Sequence, residues 1–193
     1  MELILASSSP RRKDLLSEAG ILFRASSPNV EEWSTESHPD LSPNDLALSN
    51  ARLKADCIRQ KNPTAVVLAA DTIVYCKGDV LGKPNSRSDA IRMLSLLSNS
   101  THEVITGMVW HVSYNRTVKE YIGRTFVTFK PLNEKRINEY IDRVNVMDKA
   151  GSYALQDRGE DIVERIEGSR TNVIGLPMEK VHQWWTEEYQ SKN

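Results

Sequence analysis

A chain of 193 residues with 25 basic and 26 acidic side chains carries a formal net charge of −1. That balance gives no general attraction to nucleic acid or to an anionic membrane surface, so any anion binding must come from local clustering. Hydrophobic residues at 39% and charged residues at 26% describe a globular protein able to bury about 70% of its unfolded surface without staples, and no apolar run approaches the ~18–20 residues that span a bilayer.

The run "ELILA" is short and continuously apolar, as a buried strand of an α/β layer is. It is too short for a secretory signal, and its basic cluster follows it, so a cytoplasmic protein is expected. Ser9 as N-cap, Pro10 at the first helical position and Gly20 at the stop then predict a helix. "ILFRASS" reads as a second strand, and "PNVEEWSTESHPD" as a polar loop. In "LSPNDLALSNARLKADCIRQ", Ser42 caps, Pro43 opens and Asp45 completes a capping-box-like pattern, predicting a helix of about five turns.

"AVVLAADTIVYCKGDVLGKP" reads as a buried strand that turns near Lys77–Gly78–Asp79 into a second extended segment. "SRSDAIRMLSLLSN" is helical in pattern. "HEVITGMVWHVSYNRTVKEYIGRTFVTFKPL" is rich in β-branched and aromatic residues and breaks at Asn115, which predicts a long antiparallel hairpin. The remainder reads as an amphipathic helix, "NEKRINEYIDRV", then a strand, "DIVERIEG", then a closing helix, "LPMEKVHQWWTEEY". Cys57 and Cys76, the only cysteines, lack metal or redox spacing and are expected to be buried thiols in a reducing compartment. Taken together, the pattern predicts an α/β fold with a mixed, partly antiparallel sheet and flanking helices.

The first helix poses a question of charge. Arg11 and Arg12 fall in its first turn, at the positive end of the helix dipole, where acidic residues are normally favoured by about 0.3–1 kcal/mol each. An absent anion would explain them: helix-start amides, the Ser7 and Ser9 hydroxyls and two guanidiniums make a phosphate cradle. The plain alternative is a pair of solvated arginines. Asp71, in "AADTIV", is read as lying at the end of an apolar strand, where metal-binding or catalytic carboxylates are common, with the Thr72 hydroxyl alongside. Glu31 and Glu32 could add a second carboxylate for a magnesium-type ion or could be a solvated loop. Lys54 and Lys83 could neutralise phosphate, and Gln156 could read a nucleobase edge because its amide both donates and accepts. There is no P-loop, no G-x-G-x-x-G and no H-E-x-x-H, and the four histidines form no triad pattern. The four tryptophans do not alternate with basic residues as stacking platforms would; the Trp184–Trp185 pair is read as packing the last helix or supporting self-association.

In order along the chain, "ASSSPRRKDLL", "VEE", "NARLKA", "AADTIV", "LGKP", "DKAGSYALQ" and "NVIGLP" together resemble the Maf family of nucleoside triphosphate pyrophosphatases, from Ala6 to Pro177. The resemblance implies one domain over residues 1–193, with two lobes around a cleft and a fold shared with the inosine-triphosphate pyrophosphatases. It implies a homodimer, a divalent cation such as Mg²⁺ or Mn²⁺, and cleavage of a nucleoside triphosphate into the monophosphate and pyrophosphate. By the same resemblance Asp71 is the proton acceptor, Ser7, Arg11, Arg12, Lys54 and Lys83 are phosphate-site residues, and Glu32 helps Asp71 hold metal. Arg11, Thr72 and Gln156 match the positions that separate substrate subtypes and point to the dTTP/UTP branch. The alternatives are a 7-methyl-GTP or other modified-nucleotide pyrophosphatase, or a nucleotide-sensing regulator of septum formation. In "YALQDRG", Ala154 and Asp157 stand where the family pattern has glycines.

Overall fold

The computed structural model describes residues 2–112 and 117–190. The elements in chain order are β1 (Leu3–Ala6), α1 (Pro10–Glu18), β2 (Arg24–Ala25), α2 (Pro43–Arg59), β3 (Val66–Cys76), β4 (Asp79–Leu81), α3 (Arg87–Leu97), β5 (Thr101–Val112) and β6 (Thr117–Phe129). They continue with α4 (Glu134–Arg143), a 3₁₀ turn (Ala150–Ser152), α5 (Gly159–Ile162), β7 (Val163–Glu167), α6 (Arg170–Ile174), α7 (Met178–Trp185) and a terminal π-helical segment (Thr186–Gln190). The described strands form one seven-stranded sheet in the order β2-β1-β3-β5-β6-β7, with β4 beside β3.

The sheet is mixed, as the sequence predicts. β1 runs parallel to β2 and β3, whereas β4 is antiparallel to β3 and β7 to β6. β5 and β6 are neighbours joined by residues 113–116 alone, too few to return a parallel strand. The break expected at Asn115 lies outside the described residues. Lys77 and Gly78, both at positive φ, make the two-residue turn between β3 and β4, matching the twist of the flanking strands.

One expected strand is much shorter than "ILFRASS" suggests. β2 has only Arg24 and Ala25, paired with Ile4 and Leu5 at the edge of the sheet. Leu22 before it is exposed, and Pro28 beyond it has no amide to extend a ladder. The short helices α5 and α6 were not expected, because segments of four and five residues carry no resolvable helical period.

The chain divides into two compact units. The first comprises residues 1–71, 106–123 and 175–193, and the second residues 72–105 and 124–174. In the first, α2 covers a sheet face: Leu48, Ala51, Ala55 and Ile58 pack with Ile4, Ala6, Val67, Ala69 and Val109. Alanines at the contact let helix and sheet approach closely, and Gly107 on β5 lets them touch. A Cβ built there would sit 2.5–2.6 Å from the backbone of Ala47 and Leu48. Trp184 is buried against Trp110, with ring centroids 6.1 Å apart, so it packs the last helix; Trp185 is half-buried. Cys57 corrects an expectation, being half-buried on α2 instead of buried like Cys76. It lies off the Ala51–Ala55–Ile58 stripe that faces the sheet. Among the described residues no helix is long and apolar enough to cross a membrane.

In the second unit Met93 and Leu94 of α3 and Tyr140 of α4 share a core with Val74, Val127 and Phe129 of the strands. His102 is buried in it, its Nε2 2.9 Å from the Tyr153 hydroxyl and its ring edge-on to Phe129. Burial lowers its pKa to about 3, and an unfolded histidine titrates near ~6.5. Between those values the unfolded chain binds the extra proton, so stability falls as pH falls, approaching ~1.4 kcal/mol per pH unit for this group. Urea unfolding across about pH 4 to 7 should therefore show a shallower loss of stability in His102→Gln than in the wild type. Equal slopes would mean that His102 is protonated in the fold.

Candidate active site

The first turn of α1 is arranged differently from a simple serine cap. Ser9 holds the N-cap backbone conformation with Pro10 following, but its side chain makes no cap hydrogen bond. The Ser7 hydroxyl instead accepts from the Ser9 amide at 3.1 Å and from Arg12 Nη1 at 3.3 Å. Arg12 Nε donates to the Gly175 carbonyl at 2.7 Å. Gly175 has φ +125°, a backbone state that L side chains rarely adopt, so glycine there presents its carbonyl to the guanidinium. Arg12 is thus not a solvated cation. It is 9% exposed, and burial pulls its pKa down from the ordinary value. The Asp71 charge opposes that shift, Arg11 adds to it, and Glu32 opposes it. Arg11 is half-buried on the same turn.

Asp71 also corrects an expectation. It lies in the middle of β3, not at its end, because β3 runs on to Cys76. The side chains of Val67, Ala69 and Asp71 share one face by strand alternation, and the first two lie in the cluster covered by α2. A carboxylate on that face needs a partner, and α2 supplies two. Lys54 Nζ stands 2.6 Å from Asp71 Oδ1, with side chains 7% and 9% exposed. Asn50 Nδ2 donates to Asp71 Oδ2 at 3.3 Å. Asn50 and Lys54 are four residues apart, hence neighbours on one helix face.

The acidic loop joins this cluster through the same residues. Asn50 Oδ1 accepts from the Trp33 amide at 2.7 Å, and Asn50 Nδ2 donates to the Trp33 carbonyl at 3.0 Å. That pins the chain so that Glu32 Oε1 reaches Lys54 Nζ at 3.0 Å. Glu31 is exposed. The structure therefore gathers Ser7, Arg12, Glu32, Lys54 and Asp71 within one unit, as the sequence reading selected them. It adds Asn50 and Gly175, whose signal was present but unassigned in "NARLKA" and "NVIGLP".

Thr72, Lys83 and Gln156 lie in the other unit. Thr72 is half-buried on β3, Lys83 is exposed after β4, and Gln156 is exposed before α5. The segment carrying Gln156 is braced by the buried Tyr140 hydroxyl, which accepts from the Ala154 amide at 3.1 Å and lies 3.4 Å from the carbonyls of Ala154 and Asp157. Burial pushes the Tyr140 pKa up to about 12, so this brace is a neutral phenol at physiological pH. The departures at Ala154 and Asp157 thus fall where backbone groups meet one side chain.

Among the described residues no three His, Cys, Asp or Glu side chains converge as a ready-made metal cage. Asp71 and Glu32 do converge, on the Lys54 ammonium. Two carboxylates match the protein donors of a magnesium-type site that phosphate oxygens and water complete, so the residues present fit such an ion.

A family model described as Maf-like protein matches residues 2–188. A protein of Akkermansia muciniphila named dTTP/UTP pyrophosphatase is 42% identical over 179 residues, covering 93% of this chain and 92% of its own. One of Bacillus anthracis with the same name is 42% identical over 180 residues, with 93% and 92% covered. Among solved structures, a HAM1 protein from Coxiella burnetii aligns over 67% of this chain and 73% of its own, at 19% identity and a TM-score of 0.44.

Proposed function

Since this chain belongs to the Maf family, we propose that it is a nucleoside triphosphate pyrophosphatase that hydrolyses dTTP and UTP to the nucleoside monophosphate and pyrophosphate. The names of its relatives support that substrate class. The observation that carries the reading is the buried Lys54–Asp71 pair, with Glu32 on the same ammonium and Arg12 within electrostatic reach. Hydrolysis of a polyanion uses both signs, cations for the phosphate charge and carboxylates for the water and a divalent cation.

In this mechanism Asp71, held through Oδ2 by Asn50, accepts a proton from the attacking water. A bond forms between the water oxygen and the α-phosphorus, the bond to the α–β bridging oxygen breaks, and its electron pair leaves on pyrophosphate. Arg11 and Arg12 and, by the same resemblance, Lys54 and Lys83 offset the charge that grows on the leaving group. Asp71 and Glu32 would hold the divalent cation, which supplies charge neutralisation on the phosphates and a more acidic water. Ser7 keeps the Arg12 guanidinium in place, and the resemblance gives Thr72 and Gln156 the role of reading the base. A homodimer belongs to the same reading by resemblance.

Pyrophosphate release with Mg²⁺ or Mn²⁺, profiled across the common triphosphates and 7-methyl-GTP, tests it. The expected result is the highest kcat/KM for dTTP and UTP, with nucleoside monophosphate as the second product. Release of orthophosphate and a diphosphate, or a clear preference for 7-methyl-GTP, would overturn it.

A further inference from the structure

Lys54 stands in an odd place for a residue that resemblance gives to phosphate. Its ammonium touches Asp71 Oδ1 at 2.6 Å and Glu32 Oε1 at 3.0 Å, the two carboxylates that the proposed function assigns to the divalent cation. Asp71 Oδ2 is taken by Asn50, so both Asp71 oxygens already accept a hydrogen bond. An ammonium and a hard dication compete for the same oxygen lone pairs, and they repel each other more strongly where water is excluded.

We propose that Lys54 is a displaceable counter-cation: in the nucleotide-free protein it fills the point where Asp71 and Glu32 converge, so a divalent cation binds there only together with a triphosphate that draws the ammonium away. The inference rests on the pyrophosphatase reading and adds an order of binding to it. In the free cluster the charges of Asp71 and Glu32 are balanced by Lys54 and Arg12, so a dication alone would add uncompensated positive charge. A triphosphate brings the negative charge that both the dication and the released ammonium need.

The two cations differ in their freedom to respond. Arg12 is tied through Nε to Gly175 and through Nη1 to Ser7, and it stays. Lys54 carries a compact charge on a flexible four-carbon stem, which can swing to a phosphate oxygen.

Titration of Mn²⁺ alone into the nucleotide-free protein, followed by the electron paramagnetic resonance signal of unbound Mn²⁺, tests the order of binding. The wild type should bind weakly and, after subtraction of the Mn²⁺ held by the α,β-methylene analogue of dTTP in protein-free solution, tighten at least about tenfold when that analogue is present. Lys54→Met should bind Mn²⁺ at least about tenfold more tightly than the wild type without nucleotide, and Glu32→Gln added to it should erase that gain. Equal Mn²⁺ affinity in wild type and Lys54→Met, with thermal unfolding showing both folded, would overturn the proposal. So would tight wild-type binding without nucleotide, a result that needs no variant. Pyrophosphate release by the wild type is scored separately: activity with no gain in Lys54→Met sinks the counter-cation alone, and a gain without activity sinks the pyrophosphatase reading alone.

Discussion

Asp71→Asn is expected to lower kcat for dTTP hydrolysis by ~10²-fold or more, the cost of losing a general base, while KM changes little. The amide is nearly isosteric, so the β3 backbone and its contact with α2 are kept. The substitution also removes the charge that holds Lys54 at 2.6 Å. An orphaned buried charge costs about 3–5 kcal/mol, but Glu32 still reaches the same ammonium at 3.0 Å, so the loss of stability should fall below that range. Steady-state kinetics paired with urea unfolding separates the two effects. Undiminished turnover would take Asp71 out of the mechanism.

Gly107→Ala should be the most damaging small substitution in the first unit. Its Cβ would fall 2.5–2.6 Å from the Ala47 carbonyl group and the Leu48 amide nitrogen, and backbone cannot rotate aside as a side-chain tip can. Overpacking of this kind costs about 1–3 kcal/mol and occasionally more; the upper end is expected where the clash is with helix backbone. For a chain of this size that corresponds to a fall in Tm of roughly 6–12 °C. The function should suffer as well, because α2 carries Asn50 and Lys54, and a shift of helix against sheet moves both relative to Asp71. Calorimetry and kcat on the same preparation check this; an unchanged Tm would mean that α2 stands farther from β5 than described.

These two positions mark different kinds of legibility. The sequence marks Asp71 as a carboxylate at the end of an apolar strand, where catalytic or metal-binding carboxylates are common, although the strand in fact runs on past it. Nothing in "VITGMVW" marks Gly107 as a contact with α2, since the residues it meets lie some sixty positions earlier. The same holds for Gly175: its "NVIGLP" context was conspicuous, yet only folding brings its carbonyl to Arg12. β2 failed as a seven-residue strand because pairing at a sheet edge depends on where the neighbouring strand ends.

By itself the sequence determined what is local. Caps at Ser42, Ser86 and Asn133, the Lys77–Gly78 turn, the apolar period of each main helix and the i, i+4 placement of Asn50 and Lys54 on one helix face depend on neighbours within a few residues, and their physics is written in the spacing. The tertiary structure alone decided the partnerships. That Lys54 faces Asp71 and Glu32 instead of solvent, and that Arg12 is buried on Ser7 and Gly175, follows from a helix laid on a sheet at alanine and glycine positions. Long-range contact of that kind is fixed by the summed burial of the whole unit, a quantity no single stretch of residues contains.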